Sequence, residues 1–365
     1  LYPRRTQQET ATSGLDRQET AAFYDRKNQH PQASLILSAA HDWDLLCQTC
    51  QWVTQHPDAF GATILDVGCD CGLLSCFLAQ TFPHSRITSI DRSANGIHAA
   101  QQLAERLGLT NITFLHTDLE TLPPMEFDTV FSSRTVQENY DPLLENARFL
   151  PLTHQGRICA QVFQRYTGLL CQFVKPGGTF VTVERMERDR VFLGYCLALH
   201  SQGLDLVPES HQELHCKEGD HTTTLQAFCG IKEGRTTTTD AEDFFIATFQ
   251  DALTWQPRHL DVEGELILEL CAQELIRGHF LHNPQGARVG KLAIYTSKFD
   301  PEELFYYQGI LGQPVQVHRL SRGELSDVLA LLETDLATLT ASTLSAHPFS
   351  FQDGVELLLE EMEED

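Results

Sequence analysis

The chain has 365 residues, 42% of them hydrophobic, with 50 acidic against 26 basic residues and a formal net charge of −24. That length allows two domains and a sizeable core. The acid excess argues against nucleic acid and anionic membranes as partners, because phosphate binding rests on clustered Lys and Arg. Part of the excess is local: residues 323–365 hold eleven acids and no Lys or Arg, leaving 39 acids against 26 bases elsewhere. The eleven cysteines are scattered and odd in number, as expected of reduced thiols in a cytoplasmic protein. Cys47 and Cys50 lack the second pair that a zinc site needs, so no metal is expected. No apolar run approaches eighteen residues and no charged-then-apolar leader opens the sequence, so no membrane is expected either.

Residues 1–20 read as a polar arm. A helix is predicted over Asp42–Gln55, with Trp43, Leu46, Cys50 and Val53 on one face. From Thr63 onward, strands and helices alternate: strand Thr63–Val67, helix Leu73–Thr81, strand Arg86–Ile90, helix Ser93–Leu107, then strands Ile112–His116 and Phe127–Ser132. This spacing predicts a doubly wound parallel sheet, the α/β class. Residues 137–156 look inserted. A helix over Arg157–Phe173 leads to the turn Lys175-Pro176-Gly177-Gly178 and the strand Thr179–Glu184. A helix at Val191–Ser201 and strands near Leu204–Val207 and Thr223–Gly230 complete a domain spanning 21–235. A C-terminal α+β module is expected over 240–350, with a helix at Leu266–Phe280, strands at Lys291–Ser297 and Val315–Leu320 joined by a helix beginning at Pro301, and a long helix striped by Leu325, Val328, Leu332, Leu336 and Leu339. Residues 351–365 read as an acidic, solvated tail.

The chemistry concentrates in Leu65-Asp66-Val67-Gly68-Cys69-Asp70-Cys71-Gly72, between a strand and a helix. Such a turn aims backbone amides at a ligand. A dinucleotide fingerprint would need glycine where Asp70 and Leu73 stand, and a carboxylate there would oppose a pyrophosphate. A cationic ligand without phosphate fits Asp66 and Asp70 better. Asp91 ends the next strand, where a carboxylate can accept hydrogen bonds from both hydroxyls of a ribose. Its removal is expected to cost ligand affinity and leave stability unchanged. Asp118 ends the third strand.

Asp66-Val67-Gly68, Gly72, Asp91, Asp118-Leu119, Phe127-Asp128-Thr129-Val130 and Lys175-Pro176-Gly177-Gly178 occur in the order and spacing of the class I S-adenosylmethionine-dependent methyltransferases, which residues 20–232 resemble. The resemblance implies a seven-stranded sheet and S-adenosyl-L-methionine as cofactor. It places Gly68 and Gly72 at the methionine part, Asp91 at the ribose and Asp118 with Leu119 at the adenine. Cys69 and Arg92 belong to the same turns, Ser132 opens the site after the fourth strand, and Tyr24 closes over it. The family usually has glycine where Asp70 stands.

Methyl transfer from a sulfonium needs alignment more than a general base. Glu138, His154 and His41 are the candidate catalytic groups. Residues 132–140 lack the Asn-Pro-Pro-aromatic signature associated with nucleic-acid bases, and with the acidic surface this removes DNA and RNA as expected substrates. The expected acceptor is a small metabolite or natural product, with a peptide or protein side chain second. A cofactor-binding but inactive partner subunit and an aminopropyl transferase are the other readings. The C-terminal module is assigned assembly, as a homodimer, or substrate delivery.

Overall fold

The computed structural model describes residues 27–136, 139, 152–218, 221–232, 241–248, 272–298, 300–310, 316–341, 343–352 and 355–358. The expected arm, the insert up to Pro151 apart from Asn139, and the segment 233–240 lie outside them. The chain divides into two compact units, the first formed by residues 1–147 and 156–248 and the second by 148–155 and 249–365.

The first unit is built on β1 (Thr63–Val67), β2 (Arg86–Asp91), β3 (Ile112–His116), β4 (Phe127–Ser133), β5 (Val174–Glu184), β6 (Leu204–Leu206), β7 (Gln212–Glu218) and β8 (His221–Lys232). Their order in the sheet is β3-β2-β1-β4-β5-β8-β6, with β7 paired to β8. Strands β1 to β5 run parallel, while β8 is antiparallel to β5, β6 and β7. Ile64 and Leu65 are both fully buried although they point to opposite faces, as expected of a parallel strand covered on both sides. The strand order departs from β1 in both directions, to β2 and to β4. Such a switch point leaves a crevice beyond the carboxyl ends of these strands.

The sheet has one strand more than the expected seven. β7 forms a hairpin with the first half of β8, whose second half lies between β5 and β6. The Lys175-Pro176-Gly177-Gly178 turn is part of the long β5, and the Lys175 ammonium pairs with the Asp128 carboxylate of β4. Asp128 also accepts from the Thr63 amide at 2.9 Å and the Thr63 hydroxyl at 2.7 Å, tying β1 to β4. These two family-like motifs are therefore structural.

The covering helices are α1 (Pro31–His41), α2 (Trp43–Gln55), α3 (Leu73–Thr81), α4 (Ala94–Leu107), α5 (Leu152–Cys171), α6 (Arg190–Ser201) and the short α7 (Ala241–Ala247). The buried face of α2 is Leu45, Thr49, Trp52 and Val53, whereas Trp43 is 65% exposed. The expected stripe is thus rotated. Trp52 carries the packing, with its indole N–H donating to the Ser210 carbonyl at 2.9 Å, and the polar Thr49 inside that face hid it from a hydrophobic count. α4 is capped by the Ser93 hydroxyl, which accepts from the Gly96 amide, and ends at Gly108 in the left-handed conformation.

The second unit is a six-stranded antiparallel sheet in the order β12-β11-β10-β9-β13-β14. Its strands are β9 (Ala272–His282), β10 (Arg288–Ser297), β11 (Glu303–Ile310), β12 (Gln316–Ser321), β13 (Ser345–Gln352) and β14 (Val355–Leu358), and its helix is α8 (Leu325–Thr340). Two expected helices are strands. β9 is rich in helix-forming residues, but pairing with both β10 and β13 overrides that preference. β11 begins within an acidic pair after Pro301, Glu302-Glu303, that mimics a helix start, yet Phe305, Tyr306 and Tyr307 favour a sheet. Residues 355–358 form a strand where a solvated tail was expected, and 359–365 lie outside the described residues. The α8 stripe is as read: Val328, Leu332 and Leu336 are buried against Leu281, Leu292, Ile294 and Tyr306, with Leu325 and Leu339 packed at the margin.

Leu332 is fully buried and its neighbour Leu331 is 45% exposed. Leu332→Ala should destabilise the second unit by about 2–5 kcal/mol through lost burial and a cavity. Leu331→Ala should stay within about 0.5 kcal/mol. Urea unfolding of the two variants, followed through the transition of this unit, checks the difference.

Candidate functional site

A cavity of ≈ 230 Å³ opens beyond the carboxyl ends of β1, β2 and β4. Its wall includes the turn from Asp66 to Cys71, then Asp91 and Arg92, Asp118 and Leu119, and Ser133 to Thr135. α1 contributes Ser38, α2 contributes Leu45 and Leu46, and Asp42 stands between the two helices.

The turn is held from below. The amides of Gly68 and Cys69 both donate to the Ile90 carbonyl, at 2.9 and 3.1 Å. Gly68 has φ +74°, and a Cβ there would meet Thr135 Cγ2 at 2.6 Å, so only glycine lets this backbone face the cavity with Thr135 behind it. Gly72 is also left-handed but buried, packed on Ala100 and Phe114, and it is not on the cavity wall.

Asp70, at the family's usual glycine, takes φ +45°. Asp is among the residues that tolerate this region, because its short side chain bonds locally. Here its carboxylate receives the Lys27 ammonium at 2.6 Å and the Asn28 amide at 2.7 Å. It is therefore engaged by a cation of this chain, which corrects its reading as a charge available to a ligand. The departure from glycine joins the segment ahead of α1 to the turn.

Asp91 is partly buried at the end of β2. Its Oδ2 accepts from the Asp70 amide at 2.8 Å and its Oδ1 from the Ser93 amide at 2.7 Å. Burial pushes this carboxyl above its ordinary value, and the two amides oppose that rise. The expectation that Asp91 serves a ligand and not the fold is thus corrected: its carboxylate fixes the backbone on both sides of the cavity. Asp66, 3% exposed, accepts from the Ser75 hydroxyl, and burial raises it to about 6. Asp118 receives the Glu120 amide at 3.1 Å and faces Arg92 at 3.8 Å, while Leu119 is buried at the same wall.

Other expected residues are elsewhere. Ser132 is fully buried, with its hydroxyl against Thr135 and Glu184, and the adjacent Ser133 reaches the cavity instead. His41 is not on the wall; its Nδ1 lies 2.9 Å from Asp42, which is on the wall and is paired with Arg134 at 3.1 Å. Burial acts to raise Asp42, but Arg134, His41 and Lys27 together hold it below the usual carboxylate range. Tyr24 and Glu138 lie outside the described residues, as does the side chain of His154 on α5.

Sequence reasoning missed Lys27, Asp42, Tyr166 and Glu184. The first three line the cavity together with Arg134, from segments distant in sequence. Glu184 had a local signal, an acid ending an otherwise apolar strand. It is fully buried and accepts from the Thr135 and Val136 amides, both at 3.2 Å, and from the Ser132 hydroxyl at 3.1 Å. Burial pushes it to about 7 against these contacts and Arg134.

Residues 59–230 match the family model described as a methyltransferase domain. Among curated relatives, ribosomal RNA small subunit methyltransferase G of Chlorobium luteolum is 36% identical over 106 residues, covering 29% of this chain and 42% of the relative. Malonyl-[acyl-carrier protein] O-methyltransferase of a Paenibacillus species is 27% identical over 118 residues, covering 32% of this chain and 37% of the relative. The chain thus spans about two fifths of the length of these relatives. Among solved structures, the N-methyltransferase NodS of Bradyrhizobium japonicum, in complex with S-adenosyl-l-homocysteine, is 16% identical with a TM-score of 0.42, covering 58% of this chain and 98% of that one. Among the described residues no helix is long and apolar enough to cross a membrane.

These relatives overturn the exclusion of nucleic acid, since one of them is named for ribosomal RNA. The total charge was a poor guide: residues 59–230 hold 19 acids and 12 bases, so −7 of the −24 belongs to the matched span. The cavity's own chemistry fits the family's cofactor, a phosphate-free cation with a ribose, through Asp66 and Asp91 beside an open glycine turn. Residues 59–230 are thus similar to the methyltransferase domain family, in line with the resemblance to the class I S-adenosylmethionine-dependent methyltransferases.

Proposed function

We propose that this chain transfers a methyl group from S-adenosylmethionine to a nucleophilic acceptor. The observation that carries the reading is the placement of Asp91, on the wall of the cavity beside the exposed backbone of Gly68. An ionised carboxylate has about four acceptor sites, and the Asp70 and Ser93 amides use two of them. The remaining two are assigned to the ribose hydroxyls. Gly68 and Cys69 present backbone to the methionine part, Asp66 supplies negative charge behind it, and Asp118 with Leu119 bounds the adenine end. Bound there, S-adenosylmethionine supplies an activated methyl group on a sulfonium. What the chain's residues contribute is alignment, which is worth up to about 7–11 kcal/mol. Asp42 and Arg134, paired on the same wall, are the polar groups assigned to the acceptor side.

RNA is the acceptor class we favour, supported by the similarity to ribosomal RNA methyltransferases. A small-molecule or carrier-bound acyl acceptor is the second reading, favoured by the malonyl-[acyl-carrier protein] O-methyltransferase relative. Incubation with S-adenosylmethionine labelled in its methyl group separates them. Label in polymer that ribonuclease digests is the expected result, and label in a small or carrier-bound carboxylate supports the second reading. Transfer to neither, with cofactor binding intact, would mark a binding-only subunit.

Asp91→Ala should weaken S-adenosylhomocysteine binding about 10–100-fold, since hydrogen bonds to a charged group are worth about 1.5–3 kcal/mol. It should also cost about 1–3 kcal/mol of stability, because the Asp70 and Ser93 amides lose their acceptor. Asp91→Asn should lose less of both, as its amide oxygen still accepts. Titration calorimetry with S-adenosylhomocysteine, with NAD as control, checks the order. Normal affinity in the alanine variant, or a preference for NAD, would refute the reading.

A further inference from the structure

The segment from Ser132 to Val136 begins at the end of β4, leaves it for little regular structure, and places Ser133, Arg134 and Thr135 on the cavity wall. Arg134 takes φ +59°, which is uncommon for a residue with a side chain. Its amide donates to the Val183 carbonyl at 3.0 Å, and the next two amides both donate to the carboxylate of Glu184. The Ser132 hydroxyl donates to the same carboxylate. Three donors from one short segment therefore converge on a fully buried side chain that is not on the cavity wall.

We propose that Glu184 is a positioning residue whose ionised carboxylate anchors residues 132–136, and that through this anchor its charge sets how well the cavity holds the cofactor. The position of Thr135 behind Gly68 and the reach of Arg134 to Asp42 both follow from the anchored segment. The cofactor part of this inference rests on the methyltransferase reading; the anchoring part does not.

Among the described residues, groups facing Glu184 come from the segment itself, α6 and β8. The segment supplies the charged Arg134, besides Ser132 and Thr135. α6 supplies Tyr195, whose phenol burial keeps above its ordinary value and so protonated, and which hydrogen-bonds Thr182 at 2.9 Å. β8 supplies the uncharged Gln226 as the paired residue. Glu184 loses its proton at about 7. Above that value it is a carboxylate accepting charge-assisted bonds, and below it a neutral acid that accepts more weakly.

Amide hydrogen exchange of the full chain without cofactor tests the anchor directly. Between pH 8 and pH 5.5, protection of Thr135 and Val136, normalised to intrinsic exchange, should fall about fivefold, the gap between a charge-assisted and a neutral bond. Val130 and Phe131 of β4 should keep theirs. Glu184→Gln should show low, pH-independent protection at Thr135 and Val136. Should that variant fail to fold, the wild-type profile decides alone: unchanged protection across this range would overturn the proposal. S-adenosylhomocysteine titrations read the cofactor part as the difference between wild type and variant, because the raised carboxyls of Asp66 and Asp91 stand at the cavity in both. Affinity several-fold more pH-dependent in wild type is expected, and equal dependence would overturn it. If wild type bound no S-adenosylhomocysteine, the methyltransferase reading would fail while the exchange result still judged the anchor.

Discussion

One carboxylate organises the site. Asp91 accepts the amides of Asp70 and Ser93, so the turn after β1 and the turn after β2 are held by the same side chain. Together with the Ile90 carbonyl, which accepts from the Gly68 and Cys69 amides, it fixes the approach of the Gly68 backbone. The same carboxylate keeps acceptor capacity for a ligand, so binding and local structure are coupled in it. A partly buried acid raised by its surroundings stays useful here because two fixed amides offset the cost of its charge.

Around this point the chain adds two supports that lie far apart in sequence. Lys27 and Asn28 reach the Asp70 carboxylate across more than forty residues, and Glu184 holds the segment after β4 across about fifty. The first support meets the site at Asp70, which has positive φ, and the second bonds the two residues that follow Arg134, which also has positive φ. Such conformations persist when neighbouring contacts over-determine them. The cavity is thus framed by glycine where backbone must approach and by anchored polar residues where it must turn.

The parallel sheet was legible because β1 to β5 are short apolar runs punctuated by glycine and separated by helical periods. The ends of those strands, and with them Asp66, Asp91 and Asp118, could be placed from sequence order alone. The supports could not. Lys27, Asp42 and Glu184 act through contacts more than forty residues away; no local pattern announces the first two, and the acid that ends the apolar strand at Glu184 does not name its partners. In the second unit, propensity misled at Ala272–His282 and at Glu303–Ile310, where strand partners decide the conformation. The regular leucine stripe of Leu325–Thr340 was plain, since one helix face against one sheet leaves a simple period. Charge misled as well, because most of the excess acid lies outside the matched span.

The central claim is that the cavity beside Asp91 holds S-adenosylmethionine by its ribose. A crystal structure of the chain grown with S-adenosylhomocysteine tests it most directly. The account predicts both ribose hydroxyls within hydrogen-bond distance of the two Asp91 carboxylate oxygens, with the Asp70 and Ser93 amides still bound to them. Ligand density away from Asp91, or a carboxylate swung out of the cavity in the complex, would contradict it.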